Sequence, residues 1–78
     1  MRHELWVGRD GLDTFCLAGP MGDEARAMLD QPATLVWTVD AASHAEAMSA
    51  YYSYRGLGEY VSDHPEWEAV SYREHGWE

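Results

Sequence analysis

The chain has 78 residues, with fourteen Asp and Glu against five Arg and no Lys, and its formal net charge is −9. This length provides one small hydrophobic core, which excludes enzymes built from separate cofactor and substrate domains. Nucleic acids and anionic membranes are bound mainly by clustered Lys and Arg, and the few Arg here are scattered, so we expect neither partner. The charge favours a basic or apolar protein as partner.

The sequence has neither the pattern of a membrane span nor that of a signal peptide. Residues 35–37 form the longest strongly apolar run, far short of the ~20 residues of a membrane span. His3 and Glu4 stand where a signal peptide would continue with an apolar stretch. Cys16 is the single cysteine, which rules out an intrachain disulfide. We therefore expect a soluble, cytoplasmic protein.

The first third of the chain has the pattern of a β-hairpin. Residues 3–7 alternate in polarity as a short strand does, and residues 13–18 are suited to a returning strand. Between them, residues 8–11 (Gly-Arg-Asp-Gly) end in the Asp-Gly pair that favours tight hairpin turns. These signals predict two antiparallel strands joined by a turn.

A helix and a third strand are predicted next. Residues 19–22 break the second strand and open a helix, which Pro32 ends. Apolar side chains recur along this helix at helical spacing, at Met21, Ala25, Met28 and Leu29. Residues 34–40 are rich in β-branched and aromatic side chains, and they form the strongest strand signal of the chain.

A second helix follows the third strand. Ser43 and Glu46 have the spacing of a capping box, which predicts a helix starting after Ser43, and Gly56 and Gly58 end it. Residues 59–61 then have the character of a short edge strand. From Ser62 the chain is acidic and aromatic, and Pro65 interrupts it.

The element order predicts an α+β fold, a two-layer sandwich of β-hairpin, helix, strand and helix. Its sheet has three or four strands, and the two helices cover one face. We expect residues 1–62 to form a single domain. Residues 63–78 would be a C-terminal tail, packed on the domain or partly disordered. The covered face collects Leu5, Val7, Phe15, Leu17, Leu35, Trp37 and Val39. The other face carries Trp6, Thr14, Cys16, Val36 and Thr38, and has no predicted cover except the tail or a second subunit.

Residue types that carry chemistry are present without a recognised catalytic or metal-binding pattern. Asp63, His64, Glu66 and His75 lack the spacing of a zinc site or a calcium loop. Cys16 lies mid-strand, where cysteine usually acts as a small apolar residue. Ser43 is assigned as a helix cap, which argues against a catalytic pair with His44, and residues 19–22 lack the Lys of a phosphate loop. We therefore predict no catalytic residue, no cofactor and no metal.

Aromatic side chains provide the best candidate for a binding surface. Ten aromatic residues exceed what one small core requires, and Tyr, Trp and Arg dominate binding hot spots. We predict that an exposed contact surface is formed by Tyr54, Arg55, Tyr60 and Trp67. An alternative is a ligand pocket between the second helix and the tail, lined by His44, Tyr51, Arg55 and His64.

Two stretches, residues 13–22 and residues 47–60, resemble a family of short acidic bacterial proteins with no assigned function. The resemblance implies a free-standing bacterial polypeptide, and it implies no activity, cofactor or site residue. The absence of Lys, Asn and Ile is typical of GC-rich coding sequences, as is the abundance of Ala, Gly, Asp and Glu with Arg as the sole strongly basic residue type, and it agrees with a bacterial source.

Two functions from different classes follow. The first is a non-enzymatic interaction module, which binds a basic protein partner, acts as an inhibitor of such a partner, or pairs with itself as a homodimer. The second is a small-molecule-binding domain or minor enzyme that uses the pocket between the second helix and the tail. A deep cleft with converging polar groups would favour the second function, and a flat exposed patch would favour the first.

Overall fold

The computed structural model describes residues 1–78 and contains one three-stranded antiparallel sheet and short helices, which confirms the α+β prediction. The elements are, in chain order, β1 (Arg2–Val7), β2 (Asp13–Leu17), a 3-10 helix (Pro20–Gly22), α1 (Asp23–Ala27), β3 (Thr34–Asp40), α2 (His44–Arg55) and α3 (Pro65–Glu68). None of these helices is both long enough and apolar enough to cross a bilayer.

The chain divides into two compact units. The N-terminal unit is Arg2–Val39, and the C-terminal unit is Asp40–Glu78 together with Met1. The boundary predicted between residues 62 and 63 therefore lies inside the C-terminal unit.

The N-terminal unit begins with the predicted hairpin. β1 and β2 pair antiparallel, and β3 joins the other side of β1. The Gly8 amide donates to the Leu12 carbonyl at 3.1 Å, and the Leu12 amide donates to the Asp10 carboxylate at 3.0 Å. Gly11 has a φ of 81°, which glycine adopts without the steric cost of a Cβ. The Asp-Gly pair thus forms the turn that the sequence predicts.

The hairpin register determines which side chains share a face of the sheet. Leu5 lies opposite Phe15, and directly opposed residues point to the same face. Leu5 is fully buried, and the rings of Phe15 and Trp37 stack at 6.1 Å. Glu4 lies opposite Cys16 on the other face. The predicted grouping of Leu5, Phe15 and Trp37 is correct, and the cover of their face by two helices stays a prediction.

The face that carries Cys16 is contacted by one side chain of α1, whereas the sequence suggested only the tail or a second subunit as its cover. Arg26 extends from α1 and donates to the Leu17 carbonyl at 2.8 Å and to the Glu4 carboxylate at 3.2 Å. Its guanidinium also lies 3.8 Å from the Cys16 sulfur. Burial raises the pKa of the Cys16 thiol, which fits the predicted role of a small buried residue.

The first helix is shorter than predicted. α1 ends at Ala27 and does not continue to Pro32, because the amides of Met28 and Leu29 bond three residues back, in tight turns. Met21 and Met28 are exposed, so the expected apolar stripe does not form a buried face. Arg26 connects this short helix to β1 and β2 through its bonds to Glu4 and Leu17.

The C-terminal unit begins at α2. The Ser43 hydroxyl oxygen accepts the Glu46 amide at 3.1 Å, as the capping signal predicts. At the other end, Gly56 adopts a left-handed conformation with a φ of 68°, and the Leu57 amide donates to the Tyr52 carbonyl at 2.9 Å. The helix boundaries therefore follow from residues that sequence analysis identified.

The residues after α2 do not form the suggested fourth strand. Residues 59–61 lie outside any strand, and the sheet has three. The Tyr60 ring lies against Tyr52 of α2 at 5.1 Å, and its hydroxyl bonds Glu68 of α3. These contacts direct the segment toward the helices of its own unit.

The tail contacts the start of α2. The Tyr72 amide donates to the Ala42 carbonyl at 2.7 Å, and Ser71 forms an isolated antiparallel bridge with Ser43. Tyr72 is buried, and its ring stacks on Trp77 at 5.7 Å. These contacts place α3 beside the beginning of α2.

Candidate functional site

A groove of about 730 Å³ lies within the C-terminal unit. Three segments of the unit line it: α2, the connector between α2 and α3, and α3 itself. The lining residues are His44, Tyr52, Tyr60, Val61, Asp63, His64, Trp67 and Glu68. Such a volume falls in the range of small-molecule and side-chain pockets, which are mostly apolar with a few converging polar groups.

The polar centre of the groove is a buried carboxylate. Glu68 is only 7% exposed, although it lies in an acidic segment. The Tyr60 hydroxyl donates to its Oε1 at 2.6 Å, and the Ser62 hydroxyl bonds its Oε2. A buried carboxylate is stable when hydrogen bonds replace the water it has lost, and this one is held at both oxygens.

The Glu68 carboxylate changes the pKa of Tyr60. The hydrogen bond to Glu68 raises the pKa of the Tyr60 phenol to about 12, with burial as the second cause. The neutral phenol is the form that can donate, and a phenolate would face a negative charge at 2.6 Å. Tyr60 therefore remains a hydrogen-bond donor throughout the neutral pH range.

His44 is the third partner of Glu68. Its Nε2 lies 3.2 Å from Oε1 of the carboxylate, and its side chain remains 44% exposed. This distance is within ion-pair range, so a proton on Nε2 is attracted to the carboxylate. Glu68 thus lies beside a half-exposed imidazole at the first position of α2.

The Ser62 hydroxyl, which bonds Glu68, also forms a turn in the connector between α2 and α3. The Ser62 oxygen accepts the His64 amide at 2.9 Å, a turn typical of serine two residues before the donor. Pro65 then begins α3, and its fixed φ suits the first position of a helix. The exposed His64 is held by its backbone at the rim of the groove.

Trp67 supplies the largest aromatic surface of the groove. It is 53% exposed, yet it contacts the His75 ring at 5.0 Å and the Trp77 ring at 6.4 Å. These neighbours support one side of the indole. Part of the ring is therefore available for a ligand without free movement of the side chain.

A smaller hollow of about 320 Å³ continues the groove and shares Asp63, His64 and Trp67 with it. Pro65 and Glu66 complete its lining. The combined surface carries the carboxylates of Asp63, Glu66 and Glu68, and no Arg lines it. Its charge is strongly negative beside exposed aromatic surface.

Four of the six residues predicted to bind a partner or ligand line this groove: His44, Tyr60, His64 and Trp67. Tyr54 and Arg55 do not line it. The Arg55 guanidinium lies 5.5 Å from the centre of the Tyr54 ring, near the end of α2. Tyr51, which the pocket hypothesis included, also lies outside the lining and contacts Tyr52 edge-on at 6.1 Å.

Sequence analysis did not single out Ser62 or Glu68, which organise the groove. Glu68 is one of fourteen acidic residues, and no spacing distinguishes it from the solvated ones. The carboxylate becomes distinctive only through Tyr60, eight residues earlier, and His44, on another helix. Pairs of this kind depend on tertiary structure and leave no local pattern.

In the structure no cluster of three or more His, Cys, Asp or Glu side chains has the arrangement of a metal site. The polar groups of the groove instead bond one another.

Comparison of the chain with family models, curated proteins and solved structures found no match. The resemblance to short acidic bacterial proteins therefore stays a prediction, and the functional argument depends on the groove itself.

Proposed function

We propose that the protein is a non-enzymatic interaction module that binds a basic partner protein through the groove of its C-terminal unit. The observation that supports this proposal is the lining itself, in which exposed aromatic surface adjoins three carboxylates and no Arg. Aromatic residues anchor protein interfaces, and a negative groove attracts a cationic segment.

The net charge supports a partner other than a second copy of this chain. Each copy carries −9, so two copies repel one another, whereas a basic protein is attracted over a distance of about one Debye length. A homodimer formed through the groove would also place two acidic surfaces beside each other. The basic partner is therefore the occupant for which the charges are complementary.

The experiment is a capture of partners from the native lysate at ~50 and ~300 mM salt, with the protein as bait, followed by reconstitution from purified components. We expect one basic partner that binds stoichiometrically and is released by the higher salt. The purified pair should show a dissociation constant that rises with salt in calorimetry. An acidic partner, or binding that does not change with salt, would contradict the proposal.

An inhibitor of a basic enzyme or toxin is the sharper form of the same proposal. In that case the acidic surface around the groove would cover a cationic active site of the partner. Adding the protein to the purified partner should then abolish the partner's activity at one equivalent. A partner that binds and retains full activity would limit the function to association.

The geometry of His44 favours one alternative, a small-molecule site or minor enzyme. The ring is 44% exposed in the groove and its Nε2 lies 3.2 Å from Glu68, and an imidazole beside a carboxylate can exchange a proton with a bound ligand. A metabolite screen by NMR tests this function. Ligands that shift the His44 ring signals and compete with no protein partner would favour it over the interaction module.

A further inference from the structure

We propose that the groove recognises an arginine side chain of the partner, with the guanidinium beside Trp67 and the carboxylates of Asp63 and Glu68. This inference builds on the proposed function and specifies the chemical group that the groove binds.

The first step of the argument is the hydrogen-bonding capacity of Glu68. Its Oε1 accepts from Tyr60 and lies 3.2 Å from His44 Nε2, and its Oε2 accepts from Ser62. Each carboxylate oxygen has two lone pairs, so Oε2 retains one acceptor site. The groove therefore offers a fixed, partly satisfied acceptor to an incoming donor.

The second step is the local charge. Glu68 and the exposed Asp63 line the groove, and Glu66 lines the adjoining hollow. Two histidines are the only groups there that can carry a positive charge, and no arginine lines either cavity. A cationic ligand gains favourable electrostatic energy at such a site, and an anionic ligand is repelled.

The third step is the aromatic surface. Trp67 is half exposed and supported from behind by His75 and Trp77, so its ring is already ordered before binding. Tryptophan is the best partner for a cation above an aromatic ring. Because the side chain need not be ordered on binding, less entropy is lost.

Arginine fits this combination better than lysine. The guanidinium is flat, is weakly hydrated and stacks on aromatic rings, whereas the ammonium group is compact and strongly hydrated. Its five hydrogens also allow one group to bond the free acceptor of Glu68 and the Asp63 carboxylate together. Its aliphatic stem can lie along Val61 and Tyr60, which line the same groove.

The test is an NMR titration of the ¹⁵N-labelled protein at low salt with three blocked tripeptides: Gly-Arg-Gly, Gly-Lys-Gly and Gly-citrulline-Gly. Citrulline keeps the shape of arginine and removes its charge. We expect the arginine peptide to shift the Trp67 indole signal and the amides of residues 60–68. The lysine peptide should bind more weakly, and the citrulline peptide at least about tenfold more weakly.

Matched variants separate the groove from the overall charge of the chain. Asp63→Asn should weaken binding of the arginine peptide about two- to fivefold, as expected for a partly exposed ion pair. Asp40→Asn removes the same charge at an exposed position outside the groove and should leave the affinity unchanged. Glu68→Gln should weaken binding about tenfold, and its amide spectrum checks the fold.

Several results would overturn the inference: equal binding of arginine and citrulline peptides, tighter binding of lysine, shifts confined to residues that do not line the groove, or equal effects of Asp63→Asn and Asp40→Asn. A basic partner that still binds the protein in a salt-dependent manner would then leave the proposed function standing without the arginine site. Loss of any salt-dependent basic partner would remove the proposed function itself.

Discussion

Tyr60 donates its phenolic hydrogen to Oε1 of Glu68 across 2.6 Å, and so joins the connector after α2 to the short helix α3. The acceptor is a buried carboxylate, and hydrogen bonds to charged groups are about twice as strong as those between neutral groups. The four-residue helix α3 has few hydrogen bonds of its own. The position of Glu68 and the shape of the groove therefore depend on this side-chain contact.

Replacement of Tyr60 by phenylalanine tests that dependence. We expect Tyr60→Phe to lower the free energy of unfolding by about 1.5–3 kcal/mol, because one oxygen of the buried carboxylate loses a donor. Urea denaturation provides the measurement. In a double-mutant cycle with Glu68→Gln, the two changes should be coupled by at least ~1 kcal/mol, and purely additive effects would contradict the role given to the pair.

At alkaline pH, the free energy of unfolding should depend on the ionisation of two tyrosines. The Glu68 contact raises the pKa of Tyr60 to about 12, and burial raises the pKa of Tyr72 to about 12, with Glu46 as a smaller cause. A raised pKa stabilises the folded state below the unfolded value of ~10, and this contribution is lost as the pH rises toward 12. We expect the free energy of unfolding to fall between about pH 10 and 12.

The control for this prediction is again Tyr60→Phe. The variant lacks one of the two shifted phenols, so its stability should fall less steeply over the same alkaline range than that of the wild type. Tyrosinate absorbance measured on the folded protein should show the corresponding loss of one late-titrating group. An identical alkaline profile in the two proteins would exclude Tyr60 as a source of the effect.

The fold was predictable where the signal is local. The Asp10-Gly11 turn, the Ser43 cap and the Gly56 helix end each depend on the conformational preference of one or two residues, and each is found in the structure. The extent of α1 was not predictable in this way. Its apolar spacing indicated a longer helix, but tight turns after Ala27 end it before Pro32.

The residue types of the candidate site were predictable from the sequence, whereas the contacts between its side chains were not. Aromatic excess and acidity indicated Tyr60 and Trp67, and both line the groove. The same reasoning included Arg55, which lies outside the lining, because residue type alone does not specify where a side chain points. Burial of Glu68 could not be read from an acidic segment, since it depends on contacts with distant residues.

Gly22 should be among the least replaceable residues of the N-terminal unit. A Cβ at this position would collide with the Leu17 carbonyl oxygen and would lie 2.7 Å from the Arg26 guanidinium. Because the nearer atom belongs to the backbone, it cannot move aside without displacing β2. We expect Gly22→Ala to destabilise the protein by about 3 kcal/mol or more, by the mechanism of overpacking.

Gly11→Ala is the matched control for Gly22→Ala. Gly11 has a φ of 81° but open space around the added methyl group, so its replacement tests backbone strain without a collision. We expect a loss of about 1 kcal/mol at Gly11, clearly smaller than at Gly22. Thermal or urea unfolding of the two variants compares them, and equal losses would show that the close approach to Leu17 is not limiting.

The last prediction tests whether the partner contacts the groove or the end of α2. Trp67→Ala removes the largest aromatic surface of the groove, and we expect binding of the basic partner to weaken by about 2 kcal/mol, or about thirtyfold in Kd. Arg55→Ala removes a cation that would repel such a partner, so its affinity should stay equal or rise slightly. Calorimetry of both variants against the purified partner provides the comparison.

The opposite result would indicate that the partner contacts Tyr54 and Arg55, the two residues predicted to bind that do not line the groove. Tyr54 and Arg55 form a cation–π pair at 5.5 Å, and Tyr54 is 45% exposed. If Tyr54→Ala and Arg55→Ala weaken binding while Trp67→Ala does not, the partner contacts the end of α2. An arginine that contributes to binding would also point to an acidic or aromatic group on the partner, because a basic surface gains nothing from meeting a guanidinium.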